Sequence, residues 1–106
     1  MAFIAVYITN ESKEAAQLLA DALLDIRLIA CANIFPITAT YLWQGSIAKE
    51  DEWVAIVKTT SNNWQKLKDK VSQIHPYEIP CILKFDVEAN EAYENWIRES
   101  VEPQKS

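Results

Sequence analysis

LIACANIFPITATYLWQGSIA, from Leu28 to Ala48, runs without one charged side chain. Its length is that of a membrane-spanning helix, about 20 residues. Its composition is not. Asn33, Pro36, Thr38, Thr40, Gln44, Gly45 and Ser46 interrupt it, and its apolar positions are rich in β-branched and aromatic residues, which suit a pleated strand. The stretch therefore reads as a long strand, beginning near Cys31 and passing Tyr41 and Trp43, buried over much of both faces. Pro36 has no amide to donate, which predicts a bulge or an unpaired edge. The polar Ala48-Lys49-Glu50-Asp51 reads as the following turn. Glu52 to Thr59, EWVAIVKT, reads as the returning strand, with Gly45 as a bulge just ahead of the turn.

Outward from this hairpin, Phe3 to Thr9 (FIAVYIT) is a strand by its apolar, β-branched run. Asn10 and Ser12 supply N-cap chemistry. Ala15, Leu19, Ala22, Leu23 and Ile26 then recur at helical spacing, with a stop near Arg27. On the other side, Ser61 is expected to cap a second helix with the stripe Trp64, Leu67, Val71 and Ile74. His75-Pro76 ends that helix, because a residue before proline is pushed out of the helical region. Pro80 to Val87 reads as a fourth strand. Asn90 opens a short last helix carrying Tyr93, Trp96 and Ile97. The order β-α-β-β-α-β plus a terminal helix predicts an α+β, ferredoxin-like split βαβ fold, with an antiparallel sheet and two helices on one face. At 106 residues the chain reads as one domain, 1–106. Such folds host many unrelated functions.

Composition narrows the functions. The single glycine, Gly45, cannot supply a Walker-type phosphate loop or a Rossmann fingerprint, both of which need several glycines at fixed spacing. The formal net charge of −5 argues against a nucleic-acid partner, which would call for a basic face. Lys66, Lys68 and Lys70 form the only basic cluster and read as a solvated helix surface pointing in different directions. Cys31 and Cys81 are far apart with no CxxC, and MAFIAVYITN has no basic residue ahead of its short apolar run. The expectation is a reducing cytoplasm, no disulfide and no membrane span.

Candidate chemistry centres on the only histidine. In His75-Pro76-Tyr77-Glu78 a tight turn can aim an imidazole and a carboxylate into one space. Cys31 is a third donor if the second strand starts nearby, and three protein ligands leave a position open for exchange. The alternative is that His75 caps its helix, Glu78 satisfies backbone amides and Cys31 is a small core residue. Lys58, at the end of the third strand, suits an anion or an ordinary carboxylate pair. Tyr41 and Trp43 share one strand face, and Trp53 is expected to join them by cross-strand pairing. A Ser-His-Asp arrangement is missing, and no catalytic residue or activity is assigned. Glu50-Asp51-Glu52 reads as solvated turn carboxylates. A sheet with helices on one face leaves the other open. So long an uncharged stretch has too few polar positions for a wet face, which predicts a homo-oligomer.

Taken together, RLIACANI (Arg27–Ile34), YLWQGSI (Tyr41–Ile47), Lys58-Thr59, HPYEIP (His75–Pro80) and Tyr93 with Trp96-Ile97 resemble the CutA divalent-cation-tolerance family over nearly the whole chain. The resemblance implies a ferredoxin-like homotrimer, similar in architecture to PII signalling proteins, with the long hairpin reaching a neighbour. It implies a role in tolerance of divalent cations, copper especially. It implies a cleft between subunits carrying Cys31, His75 and Glu78 as metal ligands or near-ligands, for Cu2+ or another divalent cation. Tyr41, Trp43, Lys58 and Tyr77 would line that cleft. The same cleft would suit a PII-like sensor of a small anionic ligand. Asn90 stands where the family often has a glycine, and Cys81 falls outside the pattern.

Overall fold

In β1 (Phe3–Asn10) every second side chain, Ile4, Val6 and Ile8, is fully buried, the period of a strand with one face on a core. The computed structural model describes residues 3–102. After β1 come α1 (Lys13–Asp25), β2 (Cys31–Trp43), β3 (Ser46–Thr59), a 3-10 turn (Ser61–Asn63), α2 (Trp64–Ile74), β4 (Ile82–Val87) and α3 (Glu91–Val101). The strands form one antiparallel sheet in the order β2-β3-β1-β4, the order a split βαβ chain produces. The helix-side core joins Ile4, Val6 and Ile8 to Ala55 and Val57 of β3, Leu19 and Leu23 of α1, and Leu67 and Val71 of α2. Among the described residues no helix is long and apolar enough to cross a membrane.

Local chemistry sets the element ends. The Ser12 hydroxyl accepts from the Ala15 amide at 3.0 Å and caps α1. The stripe of α1 runs through Ala16, Leu19, Ala20 and Leu23, not Ala15, Ala22 and Ile26. Two hydrogen bonds, Leu28 N–H to Leu23 O and Arg27 N–H to Leu24 O, close the helix with Arg27 left-handed at φ 60°. That closure turns Ile26 outward. Ser61 is not a cap. It starts the 3-10 turn, whose N-cap is Thr60. His75 ends α2 with an extended backbone, as the proline after it requires.

The hairpin differs most from expectation. Gln44 and Gly45 are the turn itself, both with positive φ, 50° and 82°, the two-residue geometry whose twist matches its strands. Residues 48–51 are not a turn. They lie within β3, Ala48 opposite Tyr41 and Asp51 opposite Thr38. β1 stops pairing at Asn10–Trp53, so the seven pairs from Ile37–Glu52 to Trp43–Ser46 form a free two-stranded arm, about 23 Å long at 3.3 Å per residue. The longest dimension of the molecule is 51 Å. Pro36 sits in unbroken register opposite Trp53 on an edge strand, where its missing amide costs no ladder bond.

The sheet face away from α1 and α2 carries Asn33 and Phe35 of β2, Ile56 of β3, Tyr7 of β1, and Leu83 and Phe85 of β4. Leu83 and Phe85 are 50% and 52% exposed. α3 covers one end of this face, near Phe3, Cys31 and Lys58. The turn after α2 covers the other, near Glu52.

Candidate functional site

Antiparallel register places Cys31 directly opposite Lys58, and α3 lays Tyr93 over both. The Cys31 Sγ and Tyr93 hydroxyl share a hydrogen bond of 3.4 Å. Lys58 Nζ donates to the same hydroxyl at 3.2 Å and lies 5.4 Å from the ring centre. Phe3 meets the ring edge-on with centroids 5.9 Å apart. The Cys31 contact pushes the Tyr93 pKa upward, burial adds to it, and the Lys58 ammonium opposes both. Lys58 makes no ion pair with a carboxylate among the described residues. The group is a half-buried thiol, phenol and cation with one spare positive charge. Sequence reading placed Tyr93 only on a helix stripe. The signal it lacked is tertiary, because α3 must fold across the sheet before Tyr93 meets residues far earlier in the chain.

At the other end, His75 is buried with both ring nitrogens engaged. Nε2 donates to the Thr9 carbonyl at 2.8 Å, and Nδ1 accepts from the Tyr77 amide at 3.2 Å, which fixes the Nε2–H tautomer. The His75 and Tyr77 rings meet edge to face at 4.6 Å. The Tyr77 hydroxyl donates to Glu52 Oε2 at 2.9 Å. Glu52 is only 7% exposed, so the reading of it as a solvated turn carboxylate is corrected. Burial first, then the bond to Glu52 and the charges of Glu52, Glu11 and Glu50, push the Tyr77 hydroxyl far above the ordinary tyrosine range. Cys81 lies nearby, its thiol pushed up by burial and by the Glu52 charge. Glu78 is exposed on the turn. Along the arm, Tyr41 and Trp43 share a face with Glu50 and Glu52. Desolvation, a hydrogen bond with Glu50 and the charges of Glu50 and Glu52 raise the Tyr41 pKa. Trp53 does not join this patch. It points to the helix side, where Lys13 Nζ stands 5.7 Å from its ring centre.

The two ends remain apart within one protomer. Thr9, which holds His75, pairs with Val54, four residues along β3 from Lys58, or about 13 Å. Among the described residues no three of His, Cys, Asp and Glu come together to hold a metal ion. Within a single chain Cys31 thus lies apart from His75 and Glu78, and both His75 nitrogens carry hydrogen bonds. Both thiols are free.

These features define a class: a small α+β domain whose sheet has one open apolar face, a long projecting hairpin, and polar clusters on its edges. The model of the family described as CutA1 divalent ion tolerance protein matches residues 4–100, and the chain belongs to that family. The divalent-cation tolerance protein CutA of Thermus thermophilus is 42% identical over 97 residues, covering 90% of this chain and 94% of that protein. The crystal structure of CutA1 from Pyrococcus horikoshii superimposes with a TM-score of 0.90 at 39% identity, over 94% of this chain and 99% of that one. The Archaeoglobus fulgidus structure, described as a periplasmic divalent cation tolerance protein CutA, gives 0.90 at 39% identity, over 96% and 100%. Membership supports a role in divalent-cation tolerance.

Proposed function

We propose that the chain serves divalent-cation tolerance as a homotrimer, and that Cu2+ or a similar divalent cation is taken up in or near the cleft between protomers. In this reading the Cys31 edge of one protomer meets the His75-Pro76-Tyr77-Glu78 turn of the next, and Tyr41, Trp43, Lys58 and Tyr77 line the space. The observation that carries it is the separation of the two clusters on a sheet whose open face is apolar. Assembly of several copies would cover Leu83 and Phe85 and bring donors from the two ends together. The compartment fits the free thiols Cys31 and Cys81 and is proposed to be the cytoplasm.

Light scattering on a sizing column tests assembly, and a monomer at micromolar concentration rejects it. Competition calorimetry against a copper chelator tests the donors. Cys31→Ser and His75→Ala are expected to weaken Cu2+ binding, His75 giving up the Tyr77 amide at Nδ1 to act as a donor, and affinities equal to wild type reject the donor set while leaving the trimer standing. Bare affinity is not specificity, since Cu2+ binds most nitrogen and sulfur sites more tightly than other first-row ions.

One observation favours a second use of the same cleft. The uncompensated Lys58 ammonium beside Tyr93 suits a small anionic ligand. A tryptophan fluorescence response that is lost in Lys58→Ala and indifferent to chelators supports this use over metal binding.

A further inference from the structure

A groove of about 1270 Å³ separates α2 from α3 and ends at the turn between α1 and β2. Its apolar floor is Phe3, Leu28 and Val101, with Ile26 at the rim. One wall is a single face of α2, carrying Lys66, Asp69, Lys70 and Gln73, spaced three and four residues apart as neighbours on a helix surface. The expectation that the lysines diverge is thus corrected. Lys66 and Lys70 share the groove, and only Lys68 leaves it, its ammonium 5.3 Å from the Trp64 ring centre.

The carboxylates of the groove have hydrogen-bond or ion-pair partners but keep their charge. Asp69 accepts from Gln65 at 2.9 Å, Glu102 pairs with Arg98 at 3.7 Å, and Glu94 accepts from the Ala89 amide at 3.3 Å. Among the described residues the Lys66 and Lys70 ammoniums make no ion pair, and the Arg27 guanidinium donates to the Leu24 carbonyl at 3.0 Å. The groove lining sets Arg27, Lys66, Lys70 and Arg98 against Asp69, Glu94 and Glu102, a local excess of one positive charge on a chain of net charge −5. Ser61, Asn62 and Asn63, where the α2 segment begins, line the same end, and helix N-termini favour anions.

We propose that this groove is a binding site for a small organic phosphate. The phosphate sits among Arg27, Lys66 and Lys70, and an apolar body lies over Ile26, Leu28, Phe3 and Val101. The site is separate from the cluster of Cys31, Lys58 and Tyr93, and does not depend on the proposed trimer cleft.

Phenyl phosphate titrated calorimetrically into the intact protein at low salt tests it. The expected result is saturable binding with Kd below about 1 mM, competed by inorganic phosphate, and weakened by salt as screened charges require. Lys66→Glu with Lys70→Glu is expected to weaken it at least about tenfold, well beyond what one screened surface charge gives, while Lys68→Glu leaves it within about twofold. Arg27→Gly separates binding from folding: it relieves a left-handed backbone, so the melting temperature holds or rises while affinity falls. Three results overturn the proposal: no saturation, equal losses in Lys68→Glu and the double variant, or loss only in Lys58→Ala. The last would put the phosphate at the Lys58 cluster instead.

Discussion

Tyr77→Phe removes one oxygen and leaves the ring against His75 in place. It strands the Glu52 carboxylate, which is 7% exposed and has the Tyr77 hydroxyl as its donor at 2.9 Å. A hydrogen bond to a charged acceptor contributes about 1.5–3 kcal/mol, and an unmatched buried acceptor sits at the upper end. The expected loss is therefore about 2 kcal/mol near neutral pH. With a urea dependence of about 1–3 kcal/mol per M for a small domain, the unfolding midpoint falls by about 1 M. Protomer concentration must be held fixed, because assembly adds its own concentration dependence.

The same variant carries a pH signature that a packing defect does not. The Tyr77 hydroxyl is held above its ordinary value by burial and by Glu52. A group whose folded pKa is raised binds its proton more tightly in the native state. Its contribution is fully present below the unfolded value of about 10 and is lost as pH rises toward the folded value. Wild type is expected to lose stability above pH about 10 at up to about 1.4 kcal/mol per pH unit from this group. Tyr77→Phe should have a shallower alkaline limb while being less stable at pH 7. Urea melts at several pH values read both quantities. A loss below about 0.5 kcal/mol at neutral pH, together with an unchanged alkaline limb, refutes the argument that Tyr77 shields the Glu52 charge.

Two further outcomes concern the arm and the open face. Gly45 has φ 82° with nothing within 4 Å of an added Cβ, so Gly45→Val should cost about 1–2 kcal/mol of backbone strain alone, and Gln44→Asn should recover about 0.5 kcal/mol at φ 50°; thermal melts with opposite signs check the pair. Leu83→Lys with Phe85→Lys places two charges on the half-exposed apolar face, and light scattering should then show smaller species with the monomer fold retained by circular dichroism.

How much was legible follows from what sets each element. β1, Leu19 and Leu23 of α1 and the stop at His75-Pro76 were readable because burial and proline geometry act within a few residues. The turn was misplaced because the arm has no helix beneath it. Without a core, β3 need not alternate apolar and polar, and Lys49-Glu50-Asp51 can be a strand with the composition of a loop. Gln44 concealed the turn as well, since glutamine rarely takes a left-handed backbone. Glu52 was hidden for the reverse reason. Glu50 and Asp51 just before it are exposed, while a turn from a different part of the chain buries it.

The arm also divides its charge unevenly. From Ile37 to Trp43 β2 has no charge, while Lys49, Glu50, Asp51 and Glu52 load the facing strand. Edge strands that must face water are ordinarily blunted with charge, proline or bulges. Here β2, the edge of the sheet, carries only Pro36 for that purpose, in a register without a bulge. At the tip, Leu42 and Ile47 face each other at 76% and 72% exposure, and Tyr41 and Trp43 lie on the opposite face. A strand so built would be an aggregation hazard if left bare. Its chemistry suits a side that is covered, and the charged β3 side one that is wet. In the proposed assembly the neighbour would lie against β2, the edge that begins at Cys31.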